Sequence, residues 1–149
     1  MNEDKKLFVN IDNARLDEQR RVMKDIENNQ ECPFCPENLD KYHKEKILRK
    51  GKHWILTRNQ WPYKYTSTHL LAIAAYHAEK ISDLQKGSFD ELQDHIVWAE
   101  KKFKVVAGGI AMRFGDMSNN GATVNHLHVH FIVPSIDKPE DQEVHFRIG

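Results

Sequence analysis

The chain has 149 residues with 22 basic and 22 acidic side chains, a formal net charge of zero, and a mean hydropathy of −0.70. That is enough for one hydrophobic core and too little for two comfortable ones, so the chain reads as one domain, 1–149. The balanced charge leaves no electrostatic footprint for nucleic acid or an anionic membrane surface, and no apolar run approaches the roughly 18 residues that span a bilayer. The charged first 21 residues lack the apolar segment of an export signal. With only Cys32 and Cys35 as cysteines, a secreted disulfide framework is excluded and a reduced, cytoplasmic setting is expected.

In chain order, residues 12–28 carry Leu16, Val22, Met23 and Ile26 among charges and predict an amphipathic helix, opened by Asp12 or Asn13 and packed outside the core. Cys32 and Cys35, set among Pro33 and Pro36, predict a knuckle over 30–36 running on as a turn to Asn38. His53 to Thr57 reads as a strand stopped by Asn59-Gln60-Trp61-Pro62, and Leu70 to Ala74 as its antiparallel partner. Ser88 and Glu91 have the spacing of a capping box, opening a helix over 88–104 with Phe89, Leu92, Ile96, Ala99 and Phe103 on one stripe. Ile110 to Phe114 and Val124 to Val133 read as two further strands, separated by a turn at Asp116 to Gly121. Helix, two strands, helix, two strands is an α+β order with a mainly antiparallel sheet, its core within 53–134.

His126, His128 and His130 stand at i, i+2 and i+4 in a β-prone segment. On a strand this puts three imidazoles on one face, about 7 Å apart, and sends Leu127, Val129 and Phe131 to the other. A neutral imidazole can attack phosphorus and be expelled again while a neighbour holds the phosphate oxygens, so the row suits nucleotidyl transfer. The competing readings are an amphipathic strand with histidine as its polar residue, and a plain metal site. Attack requires a neutral imidazole, whose unperturbed pKa of about 6.5 would set the acid limb of kcat/KM. Cys32 and Cys35 alone are half a zinc site, a redox pair or two ordinary cysteines.

The string His126-Leu127-His128-Val129-His130-Phe131-Ile132 resembles the His-x-His-x-His-x-x signature of the histidine triad superfamily. Gly121 and Thr123 precede it where that family has Gly and Ser or Thr, and Asn59-Gln60-Trp61-Pro62-Tyr63, His69-Leu70-Leu71-Ala72-Ile73 and His77 resemble its upstream turn, strand and closing histidine. The match runs from about Cys32 to Pro134.

The resemblance implies an antiparallel sheet of about five strands with a long helix packed on it and an N-terminal helix. The implied activity is that of a hydrolase or nucleotidyltransferase, acting on the α-phosphate of adenine-type conjugates such as dinucleoside polyphosphates or nucleoside phosphoramidates. By the same resemblance His128 is the nucleophile that forms a nucleotidyl-histidine, His130 and Thr123 attend the phosphate and leaving-group oxygens, and Asn59 binds the ribose hydroxyls. Gly115 stands where the family commonly has Asn or Gln, so Asn119 or Asn120 would have to serve, beside Gly121. Two extra residues between Pro62 and His69, and Ala74-Ala75-Tyr76 in place of a Pro-basic-basic stretch, alter the border of the base and ribose pocket. Branches of the superfamily with a similar cysteine pair hold zinc, which assigns Cys32, Cys35, His77 and His126 as its ligands here. His130, where some branches have Gln, leans the expectation toward hydrolysis. Many relatives are dimers that pair through the long helix and a central strand, so a homodimer is expected. The alternative is a non-catalytic nucleotide-binding protein or a zinc-stabilised scaffold.

Overall fold

The computed structural model describes residues 6–149. Five strands form one antiparallel sheet: β1 (Ile47–Lys50), β2 (Trp54–Arg58), β3 (Thr66–Ala74), β4 (Gly109–Met112) and β5 (His128–Pro134), in the order β1-β2-β3-β5-β4. The longest ladder joins β3 to β5, from Thr66 opposite Pro134 to Ile73 opposite His128. Trp54 to Thr57, His69 to Ala74 and His128 to Ile132 are buried without interruption, which is the pattern of strands covered on both faces.

The two faces are covered by different means. On one, Trp54, Leu56, Leu70, Ala72, Leu127, Val129 and Phe131 pack against Leu92 and Ala99 of α3 (Ser88–Lys102), the principal core. On the other, Ile55, Leu71 and Ile73 meet Leu39 of α2 (Pro36–Tyr42), with Phe34 beside them. A third cluster, Val9, Ala14, Met23, Ile26 and Tyr42, seats α1 (Asp17–Asn29) against α2. Full burial of a Leu or Ile contributes about 1.5–3 kcal/mol, so the continuously buried central strands hold the sheet together.

Several boundaries differ from the sequence expectation, each for a local reason. The first helix begins at Asp17 rather than near Asp12, because Ile11–Asn13 forms a single 3-10 turn that Asn10 caps through a bond accepted from the Asp12 N–H (3.1 Å). Pro36 occupies the first turn of α2, where its missing N–H is harmless, and turns the expected bend into a helix. β1 supplies the fifth strand that the resemblance implies, at a position the residue pattern does not mark. The Ser88–Glu91 capping box does not form: Gly87, at φ 90°, is the cap, and Ser88 is buried inside the helix with its carbonyl accepting from the Trp54 indole (2.8 Å). Glu91 instead accepts three backbone N–H bonds, from Lys52, His53 and Trp54, at 2.7, 2.8 and 2.7 Å. Gly51 accommodates this clasp, since a Cβ there would lie 2.5 Å from the Glu91 carboxyl carbon. Phe89 is exposed, so the buried stripe of α3 is Leu92, His95 and Ala99. The 116–121 turn contains a short helix, α4 (Met117–Asn120), and β5 starts at His128, four residues later than expected, with Val124 making only an isolated bridge to Val9.

Candidate functional site

The late start of β5 divides the histidine row. His126 lies at the strand's entrance and turns to the cysteines, while His128 and His130 lie within the ladder, opposite Ile73 and Leu71 of β3. Cys32 and Cys35 come from the turn before α2, and His77 from the segment after β3. The four ligand atoms of Cys32, Cys35, His77 and His126 fall within 4.8 Å of one another. Cys32 Sγ is 3.3 Å from His126 Nδ1, and Cys35 Sγ is 3.4 Å from His77 Nδ1 and 3.7 Å from His126 Nδ1. A tetrahedral zinc with ordinary bond lengths sets S and N ligands about 3.6 Å apart, so the cluster has the size of such a site.

The outer nitrogens of the two histidines are already engaged. His77 Nε2 meets Glu79 Oε1 at 2.9 Å and His126 Nε2 donates to the Ala74 carbonyl at 2.7 Å, which directs both Nδ1 lone pairs inward as metal-ligating histidines require. Burial, with Cys32 beside it, pushes the Cys35 thiol up to about 12. Two thiols so placed ionise together readily only with a cation between them. The residues fit zinc.

The remaining two imidazoles are wired differently. His128 Nδ1 lies 2.7 Å from the His126 carbonyl; a carbonyl only accepts, so Nδ1 carries the proton and Nε2 keeps its lone pair. The order is reversed at His130. The Tyr63 N–H donates to His69 Nδ1 (3.0 Å), which places the His69 proton on Nε2, and that N–H donates to His130 Nδ1 at 2.8 Å. The His130 proton therefore sits on Nε2, which is buried and has no partner among the described residues. Neighbouring rings with centroids 5.0 Å apart thus present opposite characters, a lone pair on His128 and a donor on His130.

Burial holds all three in the neutral form, with His128 pushed down to about 4, His69 to about 3, and His130 well below its ordinary value. The acid limb expected near the unperturbed histidine pKa is displaced accordingly, because His128 is desolvated by the sheet and by Phe34, whose ring meets it edge-on at 5.1 Å.

His128 and His130 face a cavity of about 310 Å³, within the range of small-ligand pockets. Its apolar lining comes from Val22, Met23 and Ile26 of α1 with Pro33 and Phe34. Its basic lining is Arg15, Arg113 and Arg147. Tyr63 stacks on His130 at 5.5 Å and 19°, and Phe146 lies edge-on to His130 at 5.1 Å.

Thr123, Asn59 and Gly121 all line this cavity, as do His128 and His130. Asn59 Oδ1 accepts from the Trp61 N–H (2.8 Å), and its Nδ2 lies 3.2 Å from His69 Nε2. Gly121, at φ +79°, ends α4, and an added Cβ would press on Arg147 Nε at 3.2 Å. Asn120 is not brought to the cavity: its amide donates to the Phe114 carbonyl (2.9 Å) and its Oδ1 accepts from the Ala122 N–H (2.8 Å), so the side chain is spent on closing its own turn. Asn119 is likewise tied to Asp116. Sequence reasoning missed the roles of Tyr63 and His69 in fixing His130, although both lie in the motif it quoted. It missed the three arginines altogether, which share no motif.

A sheet that sets a lone-pair imidazole beside a proton-bearing one, over a cavity part apolar and part cationic, defines a histidine-triad type of site. The HIT domain family matches residues 42–135, more than half of the chain, and the chain belongs to that family. Among solved structures it is similar to a hypothetical histidine triad nucleotide-binding protein from Sulfolobus tokodaii strain 7, at 19% identity and TM-score 0.54, covering 78% of each chain. It is similar to a Plasmodium falciparum diadenosine triphosphate hydrolase in complex with cyclomarin A, at 21% identity and TM-score 0.51, covering 62% of this chain and 63% of that one. A Zn-bound histidine triad family protein from Mycobacterium smegmatis matches at 18% identity and TM-score 0.50, covering 73% and 76%. No curated protein matches the chain. Among the described residues no helix is long and apolar enough to cross a membrane.

Proposed function

We propose that the chain is a nucleotide hydrolase or nucleotidyltransferase in which His128 attacks the α-phosphate of an adenine-type nucleotide conjugate. The observation that carries this reading is the fixed pair of tautomers: His128 Nε2 is held as a nucleophile and His130 Nε2–H as an adjacent donor. In the first step the Nε2–phosphorus bond forms and the bond from phosphorus to the leaving group breaks, its electron pair departing on that group. His130 donates to a phosphate oxygen, and the Thr123 hydroxyl serves the phosphate or leaving-group oxygen. Water or another acceptor then attacks phosphorus, its proton passing to solvent, and His128 departs with the electron pair of the nitrogen–phosphorus bond. Burial that keeps both imidazoles neutral favours the attack, and fixed donors stabilise the charge gathering on the oxygens. Asn59 faces the ribose hydroxyls with the second lone pair of its Oδ1, and the side chains of α1 with Phe34 receive the base. The Plasmodium falciparum neighbour's name supports hydrolysis of a dinucleoside polyphosphate.

In this reading zinc is held by Cys32, Cys35, His77 and His126 and supplies a structural crosslink between the N-terminal turn and the entrance of β5, leaving His128 and His130 free. The Mycobacterium smegmatis neighbour, described as Zn-bound, supports it. Two copies of the chain pair into a homodimer; β4 lies at the sheet's edge with Ile110 exposed, which suits such pairing.

The test is intact-protein mass spectrometry after brief mixing with diadenosine polyphosphates and adenosine phosphoramidate. A nucleotidyl adduct is expected on the wild type, stable in alkali, labile in acid and confined to the peptide carrying His126 to His130. His128→Asn should abolish adduct and turnover while keeping nucleotide binding. Wild-type turnover in that variant refutes the nucleophile, and tight stoichiometric nucleotide binding without any turnover supports a binding protein instead.

A further inference from the structure

The chain carries as many acidic as basic residues, yet around this cavity the balance fails. Three guanidiniums, of Arg15, Arg113 and Arg147, line it, with Asp12 as the only carboxylate side chain among the described residues that line it. None of the three takes part in an ion pair among the described residues. Each is held by a neutral oxygen: Arg15 donates to the Trp61 carbonyl (2.6 Å), Arg113 Nε to the Arg147 carbonyl (2.7 Å), and Arg147 to Asn13 Oδ1.

Their position relative to the triad is fixed by aromatic rings. Arg15 lies over Tyr63 at 4.5 Å, and Tyr63 stacks on His130. Arg113 lies over Phe146 at 3.9 Å, and Phe146 abuts His130, while the Arg113 guanidinium also reaches the Tyr63 hydroxyl at 3.4 Å. Two cations thus stand one ring away from the buried, unpartnered His130 Nε2–H, with Arg147 linked to Arg113 through its carbonyl. His128 is flanked by the uncharged Phe34 instead. The cavity therefore grades from an apolar side to a cationic one, and the reacting imidazoles lie between them.

We propose that Arg15, Arg113 and Arg147 form an anion subsite for the leaving group, so that the favoured substrates are nucleotides whose α-phosphate is joined to a further phosphate chain rather than to an amine. This rests on the nucleotidyl-transfer reading above and narrows its substrate class. When His128 bonds to the α-phosphorus, the bridging P–O bond breaks and its electron pair stays on the departing phosphate chain, which leaves as an anion without needing a proton. Guanidiniums stabilise that developing charge through charge-assisted bonds, and do so more in the transition state than in the ground state. An amine leaving group takes up a proton as it departs and gains nothing from three cations.

The experiment has two arms. Calorimetry measures binding of inorganic tripolyphosphate to the wild type, Arg113→Gln, Arg113→Lys and Arg147→Gln. Steady-state kinetics compares diadenosine tetraphosphate with adenosine phosphoramidate in the same proteins. Tripolyphosphate should bind the wild type, more weakly as salt rises, and lose roughly tenfold or more in Arg113→Gln, with Arg113→Lys retaining more than Gln. The ratio of kcat/KM for the tetraphosphate over the phosphoramidate should fall by a similar factor. Arg147 is exposed, so Arg147→Gln carries the test should Arg113→Gln fail to fold. Absence of tripolyphosphate binding, or equal losses on both substrates, overturns the subsite. Turnover of the phosphoramidate through a His128 adduct without tripolyphosphate binding removes the subsite and leaves nucleotidyl transfer standing. Arginine-dependent tripolyphosphate binding without any adduct removes nucleotidyl transfer and leaves only an anion site.

Discussion

Lowering the pH from 7.5 to 5.5 should destabilise the fold well before any carboxylate titrates. His69 and His128 are buried and neutral, with pKa values pushed down to about 3 and about 4, whereas in the unfolded chain each returns to about 6.5. Between these values the unfolded state binds more protons than the native state, so stability is intact above the unfolded pKa and is lost as pH falls below it. At pH 5.5 each group costs about 1.4 kcal/mol, and the two together about 3 kcal/mol, a large share of an ordinary domain's 5–15 kcal/mol. For a domain of this size that is a drop in Tm of about 6–12 °C. His130, His43 and His95 are shifted in the same direction, also through burial, and add to the effect. The carboxylates held below their usual range, Glu91 and Glu79 among them, act only nearer pH 4. Urea unfolding at pH 7.5, 6.5 and 5.5 measures the slope, which should correspond to uptake of about two protons or more on unfolding at the lowest pH. His69→Phe should reduce that uptake by about one. A flat profile between pH 7.5 and 5.5, or an unchanged slope in His69→Phe, would show that the imidazoles are not held neutral by burial.

Cys35→Ser should lower zinc content, read by elemental analysis, together with Tm, because half the sulfur ligation of the cluster is lost; metal-free, fully stable wild-type protein contradicts the assignment. Glu91→Ala removes the acceptor of three backbone N–H groups and should cost about 2–4 kcal/mol in chemical denaturation, without altering the His128 adduct; a loss under about 0.5 kcal/mol would mean that water replaces the carboxylate at no cost.

What could be read from the sequence, and what could not, follows from the range of the forces involved. The triad strand was legible because alternation along β5 is a local, period-two signal, and the Cys/His set because a resemblance supplied what spacing alone left open. β1 was illegible: an edge strand needs little apolar burial, and Ile47 and Leu48 are followed by Arg49 and Lys50. The start of α1 was misplaced because its cap, Leu16, makes no side-chain bond, so no capping residue marks it. Glu91 misled because its carboxylate has the right spacing to bond the helix terminus, yet three N–H groups from the β1–β2 turn, distant in sequence, offer it more. Arg15, Arg113 and Arg147 come together only when the segment before α1, the residue after β4 and the C-terminal segment meet over the sheet, and no local pattern encodes that meeting.

β5 is hydrogen-bonded on both sides, to β3 and to β4, so His128 and His130 ride on a strand that cannot be displaced without opening two ladders at once. The cover over them is of another kind. Phe146 meets the His130 ring edge-on under the Arg113 guanidinium, and Arg147 is tethered across to Asn13 by a side-chain bond, whereas Phe34, which meets His128, is packed beside the core. The reacting imidazoles are therefore carried by the most firmly bonded part of the fold, and the C-terminal segment around Phe146 is held over them through contacts of single side chains.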